Sequence, residues 1–201
     1  VRPSVHAAVI AKWAAIPAAL VVSGLVVSQA SYSAFSATTN NAGNSWASGT
    51  LALSNDAGTA LFSATNIKPG DGGSKCITVS TTATVASTLK LYASSYSKGT
   101  KSLGDRINVT VTSGSFPGAA PAGGACTGFT AGSTAVATTS LTSFAAASSS
   151  YATGADSYAL PAGGTRTYKI DWTFASAGSP AADNPYQGDT ASIGFTWESQ
   201  S

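Results

Sequence analysis

Apolar and polar residues alternate with period two along much of this chain, most cleanly at Ile107-Asn108-Val109-Thr110-Val111-Thr112. Successive side chains on a strand point to opposite faces, so this run puts an isoleucine and two valines on one side. Arg166 to Phe174 repeats the pattern with larger residues, and Tyr168, Ile170, Trp172 and Phe174 share a face. Ile193, Phe195 and Trp197 do so again near the end; Ile77 with Val79, and Leu89 with Leu91, do so earlier. Same-face placement predicts core packing for Tyr168, Trp172 and Trp197. Further strands are predicted over 50–53, 76–85 and 89–92. Residues 141–148, LTSFAAAS, fit a short helix or a strand, and 181–188 fit a single helical turn. Between these runs lie a compact turn, Lys68-Pro69-Gly70-Asp71-Gly72-Gly73, and a Gly/Pro/Ala loop over 113–125. Eight or more short strands separated by tight turns predict an all-β fold: a jelly-roll-like two-sheet β-sandwich with short helical turns.

The first thirty residues break the pattern. Arg2 and Lys12 precede an apolar run from Ala14 to Val27, too short for the about 18 to 20 residues of a membrane span. This predicts an N-terminal signal peptide helix over 1–30. Small residues at Ser28 and Ala30 fit signal-peptidase cleavage after Ala30, and Ser31-Tyr32-Ser33 offers a second site ending at Ser33. Signal peptidase is therefore one expected partner. No cysteine follows the apolar run, and Trp197 to Ser201 carries no hydrophobic tail, so no stable membrane anchor is expected after cleavage. Residues 31–45 form a polar arm with Tyr32 and Phe35 as its only large apolar side chains, and 46–201 form the sandwich domain. By composition the arm reads as a disordered terminus or as a strand awaiting a partner.

Charge narrows the function classes. Only 9% of the residues are charged, and removing 1–30 takes away Arg2, Lys12 and the single histidine, His6. Eight basic residues then face eight acidic ones, with no basic cluster, which argues against a nucleic-acid partner. A net charge near zero also does little to resist self-association.

Catalytic and metal chemistry find little material. With no histidine after residue 30 and Glu198 as the only glutamate, a zinc peptidase or a serine hydrolase lacks its base and ligands. No enzyme activity, cofactor or metal site is expected. Asp71, Asp183 and Asp189 are oxygen ligands in principle, but turn aspartates commonly bond their own backbone. Trp46, Tyr168, Trp172 and Trp197 are the aromatic candidates for a glycan surface, the basis of an alternative reading as a monomeric secreted binding module. Cys76 and Cys126, the only cysteines, are expected to pair in a secreted chain. The chain-entropy model gives the closed loop of about fifty residues roughly 4 kcal/mol.

Two blocks carry a family resemblance. Trp46-Ala47-Ser48-Gly49-Thr50-Leu51 with Leu53, then Ile67-Lys68-Pro69-Gly70-Asp71, resembles the opening of the TasA/camelysin family of secreted bacterial biofilm-matrix and surface-filament proteins. Asn184-Pro185-Tyr186-Gln187-Gly188, then Ile193-Gly194-Phe195-Thr196-Trp197-Glu198 and Gln200, is similar to a block near the family's C-terminus. The resemblance implies a jelly-roll subunit that polymerises with copies of itself by donating an N-terminal strand, with an accessory matrix protein as a further partner. The donor is then 31–45, with Tyr32 and Phe35 as plugs. Mature chains of the family begin near an Ala-Phe pair, here Ala34-Phe35, which favours cleavage after Ser33. The metallopeptidase label of some members does not carry over, for want of histidine. The family is not generally built on a cysteine bridge.

Overall fold

The computed structural model describes residues 36–40, 53–56, 62, 64 and 66–201. Among these residues nine strands run in chain order: β1 (Ser36–Asn40), β2 (Leu53–Asn55), β3 (Gly72–Thr81), β4 (Ser87–Ser97), β5 (Ile107–Ser115), β6 (Thr130–Ser140), β7 (Ala155–Leu160), β8 (Thr165–Phe174) and β9 (Ser192–Gln200). Two short helices, α1 (Leu141–Ala147) and α2 (Pro180–Asp183), lie in the connections. The strands form a four-stranded sheet, β1-β9-β4-β7, and a five-stranded sheet, β2-β3-β8-β5-β6, with all pairs antiparallel. Setting β2 aside, each successive strand changes sheet except at the β5–β6 hairpin, and the first and last strands pair. That is jelly-roll wiring.

Period-two alternation fixes what each sheet buries. Leu89, Leu91 and Ala93 of β4, Phe195 and Trp197 of β9, Ile77 and Val79 of β3, and Ile107, Val109 and Val111 of β5 form one buried set. Tyr168 and Trp197 meet at its centre from opposite sheets, with ring centroids 5.6 Å apart. Near the start of β8 the sandwich is closed by Arg166, whose guanidinium bonds both oxygens of Asp156 and lies 3.9 Å from the Tyr158 ring centroid.

Two local expectations change and an open one is resolved. The stretch read as helix or strand is the helix Leu141–Ala147: Ser140 caps Ser143 N–H at 3.1 Å, and Leu141 and Phe144, three apart, are the buried pair. The strand expected over 76–85 runs instead from Gly72 to Thr81, leaving Val85 exposed. Its glycines serve close approach as well as turning: a Cβ on Gly72 would sit 2.5 Å from the Trp172 carbonyl oxygen, and one on Gly73 2.9 Å from Trp172 Nε1. Trp172 shares its face with Tyr168 and Ile170 but is only half-buried, because the sheets part at that end. Among the described residues no helix is long and apolar enough to cross a membrane.

Candidate functional site

β9 is nine residues long, and β1 covers only part of its outer edge. The register pairs Ser36 with Gln200 and Asn40 with Thr196, so β1 stops there. Across the other edge β4 continues, with Ala93 opposite Phe195 and Ser97 opposite Ser192. Beside Ser192–Phe195 no strand among the described residues completes the four-stranded sheet. The two sheets separate at this level around a groove of about 1170 Å³. Its wall includes Phe62, Trp172, Phe174, Tyr186, Ile193 and Phe195.

The aromatic walls hold one another. Phe62 meets Trp172 edge-on at 6.4 Å, and Phe174 meets Tyr186 in the same way at 6.4 Å. Arg106 donates from Nε to the Tyr186 hydroxyl at 3.0 Å and lies 5.5 Å from its ring centroid, which fixes the ring at the rim.

The groove's polar margin is built on Asp189. Its carboxylate accepts N–H bonds from Thr100 and Lys101 at 2.9 Å and from Leu103 at 3.0 Å, and a hydroxyl bond from Thr100 at 3.1 Å. This ties the 98–105 loop to the chain just before β9. Desolvation pulls the carboxyl upward, but the N–H groups of Leu103, Lys101 and Thr190 and the Thr100 hydroxyl outweigh it, so Asp189 titrates below the usual carboxylate range. Because the folded value is the depressed one, the stabilisation is complete above the usual carboxylate range and fades as pH falls through the folded value. Asp189→Asn is expected to speed hydrogen exchange at Lys101 and Leu103 at neutral pH and to flatten the acid dependence of that exchange. Unchanged protection in the variant would show that the loop is held elsewhere.

Asp71 and Asp183 are likewise engaged with nearby backbone: Asp71 accepts from Lys68 N–H at 2.9 Å, and Asp183 from Ala177 N–H at 2.6 Å. Among the described residues no group of three His, Cys, Asp or Glu side chains is placed to hold a metal ion.

On the outer face beside β1, Glu198 accepts from the Tyr92 hydroxyl at 2.8 Å and from Gln200 Nε2 at 2.7 Å, and the register sets it opposite Thr38. Burial first, and then Glu198, push the Tyr92 hydroxyl well above its ordinary value, so it stays a protonated donor.

Cys76 and Cys126 form a disulfide, with Cα atoms 5.2 Å apart. Such bridges belong to oxidising, extracytoplasmic environments. Tyr32, Ala34 and Phe35, the residues Ala30 and Ser33 at which cleavage is expected, and Trp46 lie outside the described residues. Of the arm read over 31–45, residues 36–40 are β1 and sit at the edge of the four-stranded sheet. Of the aromatic candidates, Trp172 lines the groove, while Tyr168 and Trp197 are buried. Sequence reasoning missed the Asp189 clamp, since it depends on residues brought together from distant parts of the chain. No family model and no curated protein matches the chain.

Proposed function

We propose that the chain is a secreted structural subunit of an extracellular surface filament or biofilm matrix, assembled when the N-terminal strand of one copy is donated to the next. The observation that carries this reading is the edge of β9, half-covered among the described residues: the pairing of β1 ends at Thr196, and a groove lies beside Ser192–Phe195. A strand that meets such an edge gains main-chain hydrogen bonds, and alternate side chains fill the pockets beneath it. β1 itself pairs over five residues at a sheet margin, so exchanging it between copies breaks few contacts. The cysteine bridge supports an extracytoplasmic site of assembly.

Negative-stain electron microscopy of chains beginning at Ser31 and at Ala34 tests this. Filaments are expected from at least one of them and none after deletion of 31–45. A synthetic peptide of residues 31–45 is expected to raise the melting temperature of the deleted chain without restoring filaments, because it fills the edge and carries no second domain. Filaments that persist after the deletion would refute the reading. A monomeric glycan-binding module is the second reading, favoured by the half-exposed Trp172 beside Tyr186 in the groove. Quenching of Trp172 fluorescence by cell-wall glycan, lost in Trp172→Ala, would support it.

A further inference from the structure

We propose that the Cys76–Cys126 bridge holds a guard over the outer edge of β3, and that when the guard is released a second copy of this chain pairs with that edge. Among the described residues, the strand paired to the outer edge of β3 is β2, and it covers only Val79–Thr81. In an antiparallel ladder alternate residues turn both backbone groups to the same side. Thr78 faces outward: its N–H donates to the Asp56 carboxylate at 2.7 Å, and its carbonyl accepts from Asp56 N–H at 3.3 Å. Ser80, Cys76 and Ser74 therefore face outward too. Ser80 is covered by Ser54 of β2, and Thr78 by Asp56.

Cys76 is covered by something else. The turn at Ala122–Gly124 lies against it, so close that a Cβ on Gly124 would sit 3.1 Å from the Cys76 carbonyl oxygen. Lys75 holds the same turn by donating from Nζ to the Gly123 carbonyl at 2.9 Å. The turn belongs to the connection between β5 and β6, and β6 is the opposite margin of the sheet. The disulfide thus draws a loop from one margin across to the other. An uncovered strand edge is a template for another strand, and native folds block such edges with loops or charge.

With the loop aside, no other strand among the described residues pairs with Gly72–Cys76, which turns backbone groups outward at Ser74 and Cys76 and carries mostly small side chains. Two copies paired antiparallel about Ser74 set Lys75 opposite Gly73 and Cys76 opposite Gly72. No like charges then meet, and the contact is self-complementary, which is why the partner is a second copy. None of this requires donation of the N-terminal arm.

The test compares the full chain with the double variant Cys76→Ser, Cys126→Ser, which removes the bridge without leaving a thiol to cross-link. Light scattering after size exclusion is expected to show the mass of the double variant doubling at a concentration where the bridged chain does not change. Ser74→Pro, which deletes an outward N–H, is expected to reverse the gain. Should the double variant fail to fold, Gly124→Val decides with the bridge intact: φ is 70° there and the added Cβ sits 3.1 Å from the Cys76 carbonyl, so the variant is expected to strain the turn and loosen it from the edge. Mass that stays unchanged in the folded variants, or a gain indifferent to Ser74→Pro, would overturn the proposal. Association through the N-terminal arm occurs with the bridge intact and ignores Ser74→Pro, so the two readings fail separately.

Discussion

Trp197→Ala is expected to lower folding stability by about 3–5 kcal/mol, the range for removing a large aromatic side chain from a packed core. Trp197 is fully buried, and through it β9 packs against the opposite sheet. Its ring lies 5.6 Å from Tyr168 in the opposite sheet and 6.5 Å from Phe195 on its own strand. The register sets it between Leu91 of β4 and Thr39 of β1. Against a total stability of about 5–15 kcal/mol, that loss leaves a marginal domain. Trp197→Phe is the informative control. It also opens a cavity, but it removes an indole N–H that is buried with no hydrogen-bond partner among the described residues. Its cost is therefore expected to be less than half that of the alanine. Urea unfolding followed by near-ultraviolet circular dichroism measures both. A loss under about 1 kcal/mol for the alanine variant would mean that the sheets are held together elsewhere, a surface-like cost at a core position.

Period two made the faces of the strands readable. Ile107, Val109 and Val111 are buried as their alternation implies, and Tyr168, Ile170, Trp172 and Phe174 do share the inner side of β8. Parity says which way a side chain points, but not how far the facing sheet extends over it. Trp172 points inward and is still half-exposed, because the two sheets part around the groove that it lines. The helix at 141–147 was ambiguous because Leu141 and Phe144 are its only large buried residues, too few for a period to declare itself. Pairing partners left no local mark. Lys90 lies opposite Glu198, and Ser36 opposite Gln200, through contacts whose sequence separation no local pattern records. The Asp189 clamp is hidden for the same reason, since its donors at Thr100, Lys101 and Leu103 sit 86 to 89 residues away. The cysteine pair was legible because two cysteines permit only one intramolecular bridge.

Removing that bridge is expected to cost about 4 kcal/mol, from the entropy returned to the unfolded chain when a loop of this length is opened. The closed segment spans 50 residues and contains β4 and β5, both of which supply core residues. For a domain of this size each kcal/mol moves the midpoint by about 2–4 °C, so a fall of about 8–16 °C is expected for the double serine variant. Calorimetry reads it directly. The same bridge is proposed to guard the edge of β3, and the two roles separate by variant. Gly124→Val is expected to loosen the guarding turn while leaving the loop closed, and so to change association at a cost of only about 1–3 kcal/mol in backbone strain. The double serine variant changes both quantities. A chain that loses its expected stability and still stays monomeric would make the bridge a staple alone. A chain that dimerises through Ser74 after losing little stability would make it chiefly a guard, and would place its value in which strand edges the folded protein leaves open.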